Sequence, residues 1–322
     1  MAVNPSIAQP SVQSGTILQE QEPRALTPGQ LVWRRFRRHR MALLGGIGAA
    51  LLILFIIVGS ILVPESLANS TDLSARLAAP TSAHIFGTDS VGRDVFYRVI
   101  YGGQISLFIG IFAVLIEVSL GTLIGGLAAY YGGWVDAVLM RFTEAMLAIP
   151  SLFLLIVLAK FIGRNVGQVN ILGRTFSGSI GIVIVVIGLT SWMFLARIVR
   201  ANVLSLKELD YISASRALGA GNGRIFFGHL VPNTLGAIIV AATLGLASAI
   251  LTEAYVSFLG LGVQQPTSTW GNMMQSAQSF LNRGAWWMWV FPSLFIIVTI
   301  LCINLLGDGL RDAFDPRSAS HL

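Results

Sequence analysis

Six long apolar runs lie near residues 41 to 63, 105 to 130, 138 to 162, 180 to 199, 235 to 256 and 286 to 306, separated by segments that hold most of the charges and turn residues. Each run reaches or passes the roughly 20 residues that a helix needs to cross a bilayer. In hydrocarbon a chain must satisfy its own backbone hydrogen bonds, which leaves helices or a closed barrel. The runs are unbroken and lack the alternation of a barrel strand. The pattern therefore predicts an all-α integral membrane protein with six transmembrane helices.

Composition supports that reading. Of the 322 residues, 54% are hydrophobic and only 11% are charged, where soluble domains carry roughly 25% charged residues. The segment WRRFRRHR at 33 to 40 places five arginines directly before the first run. A cleaved leader would have an apolar stretch of about 7 to 15 residues followed by a small-x-small site. The first run is longer and no such site follows, so a retained first helix is expected. With the N-terminus inside, six spans put 14 Lys and Arg residues in the cytoplasm and seven outside, as the positive-inside rule requires. The net charge of +6 is accounted for by orientation, and no nucleic-acid partner is implied.

This topology divides the chain. Residues 1 to 30, rich in Gln, Ser and Pro, are expected to form a disordered cytoplasmic tail, because they offer too little apolar surface to offset the entropy of ordering. Residues 31 to 63 hold the basic segment and the first helix. Residues 64 to 104 form an extracytoplasmic segment too short for an independent soluble domain. Residues 105 to 306 are the five-helix core, interrupted by a cytoplasmic segment at 200 to 234, and 307 to 322 are a cytoplasmic C-terminal tail.

The residue inventory offers no reaction. Cys302 is alone and lies within the sixth run, and His39, His84, His229 and His321 show no ligand spacing, so neither a disulfide nor a metal is expected. GTDSVGRD at 87 to 94 has two glycines at phosphate-loop spacing but lacks the Lys and Ser/Thr that would hold phosphates and magnesium. GAGNG at 219 to 223 has Arg224 where a dinucleotide loop needs its third glycine. No Ser/His/Asp set is signalled. The chain reads as non-catalytic.

The stretch DYISASRALGAGNGRIFFGHLVPN, residues 210 to 233, is unusual for a loop between two spans. Helical spacing puts Tyr211, Ala214, Ser215 and Leu218 on one face and turns Arg216 elsewhere. Such a short helix is marginal in water and needs something packed on it. Gly219, Gly221 and Gly223 then free the backbone to stop the helix. An amphipathic run from Arg224 to Val231 follows, and Pro232 marks its end. The residues fit a helix lying on lipid headgroups and a docking element equally well.

The same stretch resembles the cytoplasmic signature of ABC importer permeases: Glu-Ala-Ala, three residues, Gly, nine residues, then Ile-x-Leu-Pro. Ser213-Ala214-Ser215, Gly219 and Pro232 stand at that spacing, with Ser213, Ser215, His229 and Val231 as departures. The segments GTDSVGRDVFYRVIYGGQISL, AYYGGWVDAVLMRFTEAMLAIPSLFL, SFLGLGVQQPTSTWG and GDGLRDAFDP are similar to the C-type subunit of dipeptide, oligopeptide and nickel permeases. The resemblance implies a type I importer permease fold in the cell membrane of a prokaryote. It implies a second, homologous permease subunit as heterodimeric partner and two cytoplasmic ATPases that bind ATP and magnesium. It also implies an extracytoplasmic substrate-binding protein. Tyr211, Ala214, Ser215, Arg216, Ala217, Leu218 and Gly219 would then form the coupling helix seated on an ATPase, with His229 and Pro232 closing the motif.

Charges and breaks inside the spans are further candidates for a translocation pathway, because an acid at the bilayer centre costs about 2.5 kcal/mol or more unless it faces protein or water. Glu117, central in the second run, fits either a pathway lining or a bond to a neighbouring helix. Glu144 stands three residues after Arg141, the spacing of a surface pair. Glu253 ends the fifth run near the outer face, where interfacial solvation is expected ahead of contact with substrate or the delivering protein. Pro150 should kink the third helix. Gly121 and Gly125, with Gly126 and Ala129, predict close helix packing. Trp286, Trp287 and Trp289 fit an interfacial aromatic belt. A secondary transporter or a membrane scaffold are the alternatives, and a nickel chelate or oligosaccharide the alternative cargo to a peptide. No internal repeat favours a secondary transporter, and a scaffold has no evident use for the glycine-stopped elbow.

Overall fold

The computed structural model describes residues 27 to 162, 167 to 171 and 174 to 315. Residues 1 to 26 and 316 to 322, which make up most of the expected tails, lie outside the described residues. Helix α1, Pro28–Phe36, starts on a capping box in which the Thr27 side chain accepts from the Gln30 N–H and the Gln30 side chain accepts from the Thr27 N–H. The segment expected as a tail up to residue 30 thus ends in the first turn of a helix. Helix α2, Arg40–Leu62, is the first span; His39 caps it through a 3.0 Å bond from Ala42 N–H to Nδ1.

After short helix α3, Glu65–Asn69, the chain enters α4, Val95–Tyr131, a helix of 37 residues. It begins well before the apolar run at 105, because Asp94 accepts from the Phe96 and Tyr97 N–H groups and the polar first turns are buried, Arg98 being 2% exposed. The segment between the first span and α4 is therefore shorter than the 64 to 104 expected from the sequence. The third run is two helices, α5, Gly133–Ala148, and α6, Ser151–Ile162, bent by 89°. Pro150 stands in the break, a stronger effect than the expected kink.

A short antiparallel hairpin follows, β1, Gln168–Ile171, and β2, Arg174–Ser177, with Gln168 opposite Ser177. It is the exception to an all-helical expectation, and Ser177 N–H ties it to Thr267 Oγ1 at 2.9 Å. The remaining elements are α7, Ser179–Leu206; α8, Asp210–Ala217; α9, Asn222–Ile225; a π turn at Phe226–Leu230; α10, Val231–Phe258; α11, Trp270–Ala277; and α12, Trp287–Phe314. Among the described residues five helices are long and apolar enough to cross a membrane, or six if the bent α5–α6 pair is counted as one span.

Helix α12 runs past residue 306 into the segment expected as a tail. Gly307 and Gly309 permit this by letting it lie against Leu244 of α10 and Ala42 of α2. The central seam is α4 on α7. A Cβ at Gly121 would stand 2.8 Å from Leu195 Cβ, one at Gly125 would overlap the Ala196 backbone, and one at Gly188 would meet Ile116 Cβ at 2.6 Å. Small residues bring the two backbones together, as the spacing of Gly121 and Gly125 predicts. At one end of the bundle Trp287, expected in an aromatic belt, is buried and donates from Nε1 to Thr88 O at 2.9 Å. Trp286 and Trp289 are exposed.

Candidate functional site

The segment between α7 and α10 forms an elbow at the other end of the bundle. Its anchor is apolar: Ile212, Ile225 and Leu230 are fully buried and Phe226 nearly so, packed with Val199 and Val203 of α7 and Ala129 of α4. Burying side chains of this size contributes about 1.5 to 3 kcal/mol each, which holds an otherwise marginal two-turn helix in place. Polar bonds add register. Tyr130 Oη donates to Asn222 Oδ1 at 2.9 Å, and Lys207 Nζ donates to Ala129 O at 3.0 Å near the end of α4. Asp136 of α5 accepts two bonds from Arg200 of α7, each 2.6 Å, the bidentate geometry that makes such pairs strong.

Against this anchor α8 stands free. Tyr211, Ala214, Arg216, Ala217, Leu218 and Gly219 are exposed, Leu218 at 88%. Ile212 is the sole residue of α8 that is buried, so Arg216 and the Tyr211, Ala214 and Leu218 face are exposed alike. Ser215 is half-buried, with its Oγ 3.5 Å from His229 Nε2, and the Tyr211 ring meets the His229 ring edge-on at 6.3 Å. His229 therefore braces α8 from the second limb of the elbow.

The stop after α8 is a Schellman cap. Gly219 has φ +83°, its N–H donates to Arg216 O at 3.0 Å, and Ala220 N–H reaches back to Ser215 O at 3.1 Å. A glycine serves here because its left-handed backbone is one that side chains with a Cβ resist. Pro232 does not end the second limb as the sequence suggests. The limb and α10 form one continuous span, Asn222–Phe258, since the π turn at Phe226–Leu230 widens the helix ahead of the proline, which cannot donate.

Beside Pro232 a cavity of about 1000 Å³ opens between α1, α7, α10 and α12, lined by Asn202, Asn233, Leu244, Arg311 and Phe314 among others. Glu117, Glu144, Pro150 and Glu253 do not line it. Glu117 is 7% exposed and faces α10, where a Cβ at Gly245 would stand 3.0 Å from its carboxylate. Glu144 pairs with Arg141 at 3.3 Å on an exposed surface, as its spacing suggests. Glu253 is a correction: it is fully buried rather than solvated, and accepts from Ser106 Oγ at 2.9 Å and Ser257 Oγ at 2.8 Å. Ser106 in turn accepts from Trp270 N–H at 3.3 Å, so the carboxyl joins α4, α10 and the start of α11. A fully buried polar group must be bonded, and this one is. Among the described residues no group of His, Cys, Asp and Glu could hold a metal.

The model of the family described as "Binding-protein-dependent transport system inner membrane component" matches residues 121–320, and that of the N-terminal transmembrane domain of oligopeptide transport permease C matches residues 27–80. The chain is 39% identical to the dipeptide transport system permease protein DppC of Bacillus subtilis over 91% of this chain and 87% of that one. It is 39% identical to the glutathione transport system permease protein GsiD of Pectobacterium atrosepticum over 91% and 93%. With the oligopeptide transport system permease protein OppC of Haemophilus influenzae it shares 37% identity over 90% of each chain. Its fold is similar to a chain of the methionine ABC transporter MetNI in an inward-facing crystal form, with TM-score 0.53 and 19% identity over 68% of this chain and 97% of that one.

Proposed function

Because the chain belongs to the family of binding-protein-dependent transport system inner membrane components, we propose that it is the permease half of an ATP-driven importer for peptides, with residues 210–219 as its ATPase-docking element. Members of this family are non-catalytic, multi-pass proteins of the bacterial inner membrane, and ATP hydrolysis belongs to separate ATPase subunits. The peptide assignment rests on relatives named for dipeptide, oligopeptide and glutathione transport. In this reading the elbow faces the cytoplasm, both termini lie on that side, and residues 64 to 94 face outward toward a substrate-binding protein. A homologous permease subunit forms the other half of the pathway, and ATP with magnesium sits in the two ATPases.

The observation that carries the reading is the division of labour in the elbow. Ile212, Ile225, Phe226 and Leu230 are sunk into the bundle, while Leu218, an apolar residue, is left 88% exposed next to the small side chains of Ala214 and Ala217. Such a surface is suited to being covered by another protein. Seated in a groove of an ATPase, it would pass the closing motion of the ATPases through Phe226 and the α7 backbone into the α4–α7 seam. That is a rigid-body route between two states that nucleotide can bias.

The test is recovery of the chain from detergent-solubilised native membranes, with companions identified and ATPase activity assayed in the eluate. The expected companions are a second permease and phosphate-loop ATPases, and disrupting 211 to 219 should release the ATPases. Recovery of the chain alone, from membranes where it is stably extracted, would overturn the assignment. For Glu117, replacement by Gln is expected to change uptake with normal amounts of assembled protein if the carboxyl serves the pathway. Loss of assembled protein would instead make it a packing residue between α4 and α10.

A further inference from the structure

Helix α1 has two working faces. Val32, Arg35 and Phe36, at the i, i+3 and i+4 positions of one face, are half-buried, and so is His39 just past the end of the helix. This face sits on the end of α12: Arg35 Nη1 donates to Asp315 O at 2.9 Å, and His39 Nε2 lies 3.2 Å from Asp312 Oδ2. The other face is exposed and carries Trp33, at 60% exposure, and Arg34; Arg37 and Arg38 follow, exposed, in the turn after α1, and Arg40 starts α2. Trp33 lies flat over Phe36 with ring centroids 6.0 Å apart.

The position of this face is set by α2. The first span begins at Arg40, and its exposed Met41, Leu44 and Ile47 belong in hydrocarbon. The turn before it, and α1 with it, therefore stands at headgroup depth. A tryptophan beside a dense group of arginines at that depth matches the interfacial pattern of amphipathic helices. Four positive charges at exposed positions within residues 34 to 40 complement a surface of net negative headgroups rather than one of zwitterionic or cationic groups.

We propose that the exposed face of α1, together with the arginine-bearing turn that follows it, binds the headgroups of anionic phospholipids and so pins α1, and through it the end of α12, to the membrane surface. Because Gly29 and Val32 also line the cavity between α1, α7, α10 and α12, lipid held on one face of α1 fixes a wall of that cavity with the other. The proposal rests on the membrane seating of α2 and not on the ATPase-docking role of the elbow, so either can fail without the other.

The experiment is titration of the intact, delipidated complex with phosphatidylglycerol or phosphatidylcholine, retained lipid being counted by native mass spectrometry. Phosphatidylglycerol is expected to bind more tightly, with a preference that fades as salt rises. At about 1 kcal/mol per basic residue, or roughly fivefold in affinity, the combined Arg34→Gln, Arg37→Gln and Arg38→Gln variant should bind phosphatidylglycerol roughly a hundredfold more weakly. The matching Arg→Lys variant should keep the preference. Equal binding of the two lipids, or a preference untouched by the glutamine changes, would overturn the proposal. If the glutamine variant does not assemble, the salt series on the unaltered complex decides in the same way. A glutamine variant that keeps its lipid but loses its ATPase companions would make this face a protein contact instead.

Discussion

Replacing Gly219 with valine is expected to abolish energised uptake while leaving the chain inserted and present in normal amounts. The reason is local. At φ +83° a side chain is strained whatever the space around it, and here the space is empty, with nothing within 4 Å of a Cβ. The substitution therefore meets no clash, and its cost lies in the backbone, on the order of 1 to 3 kcal/mol. That is enough to unmake the Gly219–Arg216 and Ala220–Ser215 bonds that end α8, and too little to unfold a bundle whose elbow anchor lies at Ile212, Ile225, Phe226 and Leu230. Asparagine tolerates the left-handed region better than other residues with a Cβ, so uptake should fall in the order Gly, Asn, Ala, Val. Uptake measured against membrane abundance across that series checks it. Normal transport by the valine variant would remove the docking role from the elbow.

The sequence made the spans legible because hydrocarbon imposes a pattern that little else imitates. It was less informative where polar residues are buried among the helices. Helix α4 starts at Val95, but Arg98, Tyr101 and Gln104 interrupt the apolar run there, and the hydropathy pattern begins only at 105. Glu253 looked interfacial because it stands near the end of a run. Its partners, Ser106 and Ser257, come from a helix far along the chain and from the next turn, and only the second was within reach of local reasoning.

The elbow shows the same division. Its glycine stop, its short helix and its exposure follow from the residues 210 to 219. Its anchor was missed, although Ile212, Ile225, Phe226 and Leu230 are large apolar side chains in a stretch rich in small and polar ones. Such residues in a segment assigned to water must be covered either by the chain's own bundle, as these four are, or by a partner, as the exposed Leu218 invites. The brace from His229 to Ser215 and Tyr211 depends on the π turn, and no pattern of period 3.6 announces a turn that departs from it. Helix α11 had a local sign in Thr269 and Asn272, which form a reciprocal cap.

Replacing Gly125 with leucine should eliminate assembled protein, and with alanine should lower the thermal midpoint markedly. The Cβ that either residue adds would occupy the space of the Ala196 carbonyl oxygen and stand 2.8 Å from Ala196 Cα. These are backbone atoms, which cannot swing aside as a side-chain end can. Overpacking of this kind costs about 1 to 3 kcal/mol for a small addition and more for a large one. Gly181→Ala is the control, because nothing lies within 4 Å of its Cβ and alanine favours helix over glycine by about 1 kcal/mol; its midpoint should hold or rise. Size-exclusion profiles and thermal midpoints of the three variants supply the measurement. If Gly125→Ala were as stable as Gly181→Ala, α4 and α7 would not be in backbone contact. The expected mechanical path would then fail as well, since Phe226 of the elbow packs at Gly126, one residue along the same seam. A displacement of α8 reaches the membrane helices by that contact and by the unbroken run of the chain into α7 and α10, so the seam must be tight for the elbow to move anything beyond itself.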